Sequence, residues 1–234
     1  MIKRELNDRS PLRIFERSTR GGLGKGNLGV IAARQGVGKT ACLVHIATDQ
    51  LLQGKQVIHV SFATNPRHIV DWYEDIFREI AEKFGLESVM AVHDEMIRRR
   101  IIMNFNQSSI RLPQVIGSLR SMIRDGHFAA DVIVLDAYDF SSLTTAELEQ
   151  VRGFAAEQGL EIWFSVSLGY NQPSYNAQGI PTLLESLIDS FSILICLRPE
   201  ENHIHLQLVK DHGAAVPEDL HLKLDPKSLL IARE

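Results

Sequence analysis

One stretch, residues 28–47, constrains the fold of this chain more than any other. It begins with an apolar run, Leu28 to Ala33, which is short and β-branched enough to predict a buried strand. A tight loop with two glycines follows, and Lys39-Thr40 then begins a segment that is compatible with a helix. In such a layout, small loop residues let backbone N–H groups surround an anion at the N-terminus of the helix. The stretch therefore predicts a phosphate-binding loop.

Several side chains of this loop have expected roles in holding a nucleotide. Lys39 is placed to reach the β- and γ-phosphates, and the hydroxyl of Thr40 to bind Mg²⁺. Ala33 stands where the usual motif has a glycine, and it is small enough for the loop to close around a phosphate. The alternative is a plain strand–turn–helix connection. The residues expected to contact nucleotide are Arg34, Gln35, Gly36, Val37, Gly38, Lys39, Thr40 and Ala41.

Asp136 is the second residue that predicts chemistry. It ends the predicted buried strand Asp131 to Asp136, and ligands of open α/β sheets bind at the carboxyl ends of the strands. Beside a phosphate-binding loop, its carboxylate would orient Mg²⁺ through water next to Thr40. The alternative is an aspartate that forms a turn before Ala137. Thr40 and Asp136 are therefore the predicted metal site.

Apolar runs and helical spacings alternate along most of the chain, which is typical of an α/β fold. The predicted helices cover residues 39–53, 67–84, 87–100, 112–124, 144–158 and 181–190, and further strands cover residues 56–62, 101–105 and 161–168. Three strand-like segments separated by turns end the chain, at residues 192–197, 203–210 and 220–224. They predict an antiparallel C-terminal extension of a mostly parallel sheet flanked by helices. We divide the chain into an N-terminal arm, residues 1–20, which either lies on the surface or forms a short helix at 12–17, and a single domain, residues 21–234.

The segment from Gly21 to Thr40 resembles the Walker A region of RecA-type ATPases, with KaiC-like proteins and the helicase domain of DnaB as the closest branch. Residues 132–136 resemble the Walker B strand, and Lys210-Asp-His-Gly213 resembles the Lys-x-Arg-Gly hairpin of KaiC-like proteins. The resemblance spans about residues 21–231. It implies a RecA-like P-loop fold, ATP or ADP with Mg²⁺ as cofactors, and a homo-oligomer, often a hexameric ring. In such a ring, Lys210 and His212 would contact the nucleotide of a neighbouring subunit.

The departures from this family concern hydrolysis. The family glutamate that polarises the attacking water is matched by Ala63, with Thr64 beside it, and Leu168 stands where the helicase branch has a glutamine that senses the γ-phosphate. The family arginine of the hairpin is matched by His212. Losing a base or an arginine finger costs on the order of 10³-fold in rate. The catalytic residue is therefore unassigned, and the acids that could substitute for the glutamate are Asp71, Glu74 and Asp139.

These observations predict an ATP- or ADP-binding protein with weak or lost hydrolysis that acts as a nucleotide-dependent switch or scaffold. The alternative is an active ATPase or DNA-remodelling motor of the DnaB or KaiC kind. A partner-binding adaptor that barely uses nucleotide is disfavoured by the intact loop. The formal net charge of −4 does not favour nucleic acid, and the one candidate DNA-binding loop, residues 171–179, carries no Lys or Arg, although Tyr170 and Tyr175 could stack on bases.

The remaining composition is that of an ordinary globular protein. Cys42 and Cys196 lie in apolar segments and are expected to be buried thiols, not a disulfide or a metal pair. No apolar run is long enough to span a bilayer, and the first residues lack a signal-peptide core, so we expect no membrane partner and a cytoplasmic location.

Overall fold

A computed structural model describes residues 3–19, 21–65, 67–106, 110–169, 174–214, 216 and 220–233. The α-helices are α1 (Lys3–Arg9), α2 (Leu12–Ser18), α3 (Lys39–Leu52), α4 (Arg67–Phe84), α5 (Val89–Arg98), α6 (Leu112–Arg124) and α7 (Thr145–Gln158). Two 3₁₀ helices cover Phe140–Ser142 and Thr182–Ser190. The strands are β1 (Leu28–Ala33), β2 (Val57–Ser61), β3 (Arg100–Asn104), β4 (Val132–Asp136), β5 (Glu161–Ser167), β6 (Ile193–Pro199), β7 (Ile204–Asp211), β8 (Leu222–Leu224) and β9 (Ile231–Arg233).

The strands form one nine-stranded sheet in the order β3-β2-β4-β5-β1-β6-β7-β8-β9. Strands β1 to β6 run parallel, and β7, β8 and β9 are added antiparallel. Every residue of β1, β2 and β4 is buried, because helices cover both faces of the sheet. The α/β class, the mostly parallel sheet and the antiparallel C-terminal part are therefore confirmed.

Helix periodicity predicts the amphipathic helices well and the short C-terminal strands poorly. Helices α4 and α6 have the predicted bounds. The helix predicted over residues 87–100 is shorter, because Arg100 already belongs to β3 and its guanidinium lies over the ring of Tyr73, 4.2 Å from the centroid. Strand β9 has only three residues, and such a short segment carries no alternation that could predict it.

The described part of the N-terminal segment packs on the rest of the protein. Its two helices bury Leu6, Leu12 and Phe15 in the same apolar cluster as α3, and Arg13 forms an ion pair with the buried Asp49 of α3. The surface-arm alternative therefore does not describe residues 3–19, and the predicted short helix is present as α2.

Both cysteines are buried free thiols, as expected. Burial raises the pKa of Cys42 to about 12, and it raises the pKa of Cys196 to about 11 against the opposing charge of Arg198. Within the described part of the chain, no helix is long and apolar enough to cross a membrane.

Candidate functional site

The glycine loop connects the central strand β1 to the N-terminus of α3. Gly36 and Gly38 adopt positive φ angles of 81° and 102°, which residues with a side chain rarely adopt. Gly38 is the N-cap of α3, and no side chain caps this helix end. The first backbone N–H groups of α3 therefore have the arrangement that binds an anion at a helix N-terminus.

Strand β8 packs directly against this loop. A methyl group added at Gly38 would lie 2.6 Å from Cδ2 of Leu224, which is fully buried. Ile204 of β7 is the next side chain in reach, at 3.9 Å. The antiparallel extension thus forms one apolar wall of the loop, and glycine at position 38 is required both by the backbone angle and by this close approach.

Lys39 folds back along the loop that precedes it. Its ammonium group donates to the carbonyl oxygens of Ala33 at 3.2 Å and Arg34 at 2.9 Å. Partial burial lowers its pKa, while the nearby charge of Asp136 acts in the opposite direction. A partly desolvated ammonium group held by neutral carbonyls is well suited to bind an incoming anion.

Asp136 lies at the carboxyl end of β4 and is only 2% exposed. The hydroxyl of Thr40 donates to its Oδ2 at 2.9 Å, so the predicted proximity of these two residues is confirmed. The hydroxyl of Ser165 donates to Oδ1 at 2.6 Å and itself accepts from the backbone N–H of Ala137 at 2.8 Å. Two hydroxyls from two different elements therefore orient the carboxylate.

Sequence reasoning missed Ser165. Its signal was a polar residue inside the otherwise apolar core of β5, which lies between β1 and β4 in the sheet. Ala137 has a φ of 64°, a strained value for alanine, and the strained backbone turns its N–H toward Ser165. Strain of this kind concentrates at functional sites.

The oxygen atoms of Thr40 and Asp136 fit a magnesium ion better than a softer metal, because Mg²⁺ prefers hard oxygen ligands. Across the described residues, no cluster of three or more His, Cys, Asp or Glu side chains could hold a metal ion by itself. A magnesium ion here would therefore complete its coordination with phosphate oxygens and water, as it does in most nucleotide sites.

A cavity of about 740 Å³ lies above the loop. Asp136, Tyr138 and Asp139 line one side of it, and Ile204, Pro226 and Leu229 line the other. Strands β4 and β7, which contribute to the two sides, are four positions apart in the sheet, so the cavity extends roughly 19 Å across the strands. The glycine loop therefore lies between a side that carries two carboxylates and a side that is apolar.

The position expected to carry the hydrolytic glutamate offers no carboxylate. Ala63 follows β2 and is absent from the described residues that line the cavity, and its carbonyl accepts from the side chain of Asn104 at 2.9 Å. Of the substitute acids, Asp71 is exposed on α4, and Glu74 contacts Nε2 of His93 at 2.6 Å. Asp139 alone of the three lines the cavity, and it accepts hydrogen bonds from the backbone N–H and hydroxyl of Ser141.

Lys210 and His212 lie at the other end of the sheet from the loop. Ile204 begins β7 at the cavity, and residue 211 ends it, so the hairpin is roughly 24 Å from the cavity. Lys210 donates to the carbonyl of Ile188 at 2.7 Å, and Nε2 of His212 contacts the carbonyl oxygen of Leu23 at 2.9 Å. Neither residue reaches the loop of its own chain.

Only part of the candidate DNA-binding loop falls within the described residues. Tyr170 and residues 171–173 lie outside them. The ring of Tyr175 is covered by the guanidinium of Arg198, which is 3.8 Å from the ring centroid. This contact occupies one face of the ring that could otherwise stack on a base.

The described site thus combines an uncapped helix N-terminus, one cavity-lining lysine and a hydroxyl-bonded carboxylate, contributed by β1, α3 and β4. No protein-family model matches the chain, and no curated protein matches its sequence.

Proposed function

We propose that this protein binds ATP or ADP together with Mg²⁺ and acts as a nucleotide-dependent switch or scaffold with weak hydrolysis. The observation that carries the proposal is the 2.9 Å hydrogen bond between Thr40 Oγ1 and Asp136 Oδ2. This bond joins the first turn of α3, directly after the glycine loop, to the strand end where a magnesium-orienting carboxylate is needed.

Each part of the site would contact a different part of the nucleotide–magnesium complex. The backbone from Gly36 to Lys39 and the free N–H groups of α3 would hold phosphate oxygens, and Lys39 would neutralise their charge. Thr40 would bind the magnesium ion directly, and Asp136 would hold its water ligands. Bound Mg²⁺ supplies charge neutralisation for the phosphates.

A RecA-like fold and a homo-oligomer are part of the proposal. The fold is supported by the position of β5 between the strand of the glycine loop and the strand of Asp136. The oligomer, a hexameric ring in the family that the chain resembles, rests on that resemblance alone, because Lys210 and His212 are bonded within their own chain, to the carbonyls of Ile188 and Leu23.

Replacing Lys39 with alanine tests the binding site. We expect Lys39→Ala to abolish binding in a titration with a fluorescent ADP analogue and Mg²⁺, because the phosphates lose their cation. Lys25→Ala is the matched control, because Lys25 is exposed in the turn that precedes β1, away from the loop. Equal affinity of Lys39→Ala and the parent protein would overturn the site assignment.

Hydrolysis separates the proposed function from its alternative. We expect steady-state turnover of ATP far below the roughly 1–100 s⁻¹ of efficient phosphoryl-transfer enzymes, because the side chain of Ala63 cannot accept a proton and that of Leu168 cannot hydrogen-bond a γ-phosphate. Ala63→Glu should raise the rate of hydrolysis. Ala63→Gln should not, because glutamine has the size of glutamate but its amide cannot act as a base. Brisk hydrolysis by the parent would contradict the prediction.

The second candidate is an active ATPase, and the observation that favours it is Asp139. This carboxylate lines the cavity on the same side as Asp136 and could orient water. If the parent hydrolyses ATP briskly and Asp139→Asn abolishes the activity while binding persists, the active-ATPase candidate replaces the switch.

A further inference from the structure

Two aromatic side chains from α4 form a part of the cavity wall that the proposed function does not use. His68 lies in the first turn of α4 and Trp72 one turn later, and both line the cavity. The rings meet edge to face, with their centroids 5.5 Å apart. The indole N–H of Trp72 donates to Nε2 of His68 at 2.9 Å.

This hydrogen bond determines which ring nitrogen of His68 carries a proton. Nε2 accepts from the indole, so it holds a lone pair, and the proton of the neutral ring is on Nδ1. Nδ1 is then a donor, and the indole fixes the orientation of the ring that carries it. Trp72 therefore acts as a positioning residue for His68.

Chain order brings the first turn of α4 to the side of the cavity where β2 ends beside Asp136. Helix α4 follows β2, whose last residue, Ser61, pairs with Asp136, whereas Ile204 and Leu229 lie beyond β1 on the other side. An apolar base fits the side of Ile204 and Leu229, and the phosphates fit the loop. The last phosphate of the nucleotide then lies toward Asp136 and the first turn of α4.

We propose that His68, oriented by Trp72, donates a hydrogen bond to the terminal phosphate of a bound nucleoside triphosphate and so makes the site prefer triphosphate over diphosphate. The inference rests on the proposed nucleotide binding. Among the described residues that line the cavity, Lys39 and His68 are the nitrogen-bearing side chains of basic type, and Lys39 belongs to the loop itself. His68 is thus the basic side chain outside the loop that can donate to a third phosphate.

The tautomer also says what His68 does not do. With Nε2 accepting from the indole and Nδ1 protonated, neither nitrogen can take a proton from an attacking water. The pair would therefore hold the triphosphate without activating water. This is the behaviour needed by a switch whose triphosphate state persists.

The test compares affinities for a non-hydrolysable ATP analogue and for ADP, each with Mg²⁺, by calorimetry on the full chain. His68→Ala should weaken triphosphate binding roughly tenfold and leave ADP binding unchanged, because it removes a hydrogen bond to a charged group. Trp72→Phe keeps an aromatic ring but removes the N–H donor. It should lower the ratio of triphosphate affinity to ADP affinity by a smaller factor than His68→Ala does. His68→Gln, whose amide can donate, should restore part of it.

Val70→Ala is the matched control, because Val70 lies on the same turn of α4, is 40% exposed and does not belong to the cavity wall. It should leave both affinities unchanged. An unchanged ratio in His68→Ala with intact ADP binding would overturn the inference and leave the proposed function standing. Equal losses for both nucleotides in Trp72→Phe would mean that the indole stacks on the base, which also overturns it. A parent protein that binds neither nucleotide would overturn both proposals.

Discussion

Asp136 is a buried carboxylate whose two oxygen atoms each accept a hydrogen bond from a hydroxyl. When nucleotide and Mg²⁺ bind, the hydroxyl of Thr40 would leave Asp136 and become a ligand of the magnesium ion. Ser165 contacts Oδ1 from the neighbouring strand and would keep its hydrogen bond. Partners of this kind hold a metal-binding side chain in the orientation that the metal needs.

We expect Ser165→Ala to raise the Mg²⁺ concentration needed for half-maximal nucleotide binding about tenfold, because Asp136 loses the donor that orients it. The measurement is nucleotide affinity as a function of Mg²⁺ concentration. Ser121→Ala, at an exposed position of α6 outside the cavity wall, should leave the dependence as it is. An identical Mg²⁺ dependence in Ser165→Ala and the parent would show that Ser165 only fills space.

At the scale of elements, the antiparallel extension and the glycine loop form one packed unit. The contact between Gly38 and Leu224 joins the N-terminus of α3 to β8, although the two residues are far apart in sequence. Gly36 has a similar backbone angle but has open space where a side chain would begin. Comparing substitutions at the two glycines therefore distinguishes the cost of backbone strain from the cost of steric overlap.

Gly36→Ala should lower the free energy of unfolding by about 1 kcal/mol, because alanine at a positive φ is strained. Gly38→Ala should lower the free energy of unfolding by about 1–3 kcal/mol more than Gly36→Ala does, because the added methyl group displaces the buried side chain of Leu224. Urea denaturation of both variants measures the difference. Equal losses would mean that β8 yields without cost, and the close approach would not constrain the loop.

At the scale of the whole molecule, His45 ties α3 to the last strand. Its Nδ1 accepts from the backbone N–H of Ile231 at 2.7 Å, which requires a neutral ring. Burial, with a smaller effect from the charge of Lys83, lowers the pKa of His45 from 6.5 to about 3. The unfolded chain therefore takes up a proton at a higher pH than the folded protein does.

Because the pKa of His45 is depressed on folding, its contribution to stability is complete above pH 6.5 and is lost as the pH falls toward 3. At pH 5 the loss is about 2 kcal/mol. His45→Asn keeps an acceptor for Ile231 and cannot titrate, so its stability should fall less between pH 7 and about 5 than that of the parent. Thermal or urea unfolding at several pH values measures how steeply the stability of each protein changes with pH. Parallel slopes would contradict the prediction.

The sequence by itself determined the features that depend on neighbouring residues. The bounds of α4 and α6, the strand–loop–helix order around Lys39, and the position of Asp136 at a strand end all follow from local periodicity and glycine placement. The class of the sheet follows from the alternation of these elements. The metal role of Asp136 and nucleotide binding at Lys39 stay predictions.

Apart from the predicted meeting of Thr40 and Asp136, the tertiary structure decided which distant residues meet. Ser165 reaches Asp136 because β5 lies beside β4, and Leu224 closes over Gly38 because β8 folds back beside β7. The placement of His68 beside the same cavity depends in turn on where β2 ends. Such contacts join positions that no local pattern relates, because the register between strands is set by burial across the whole sheet.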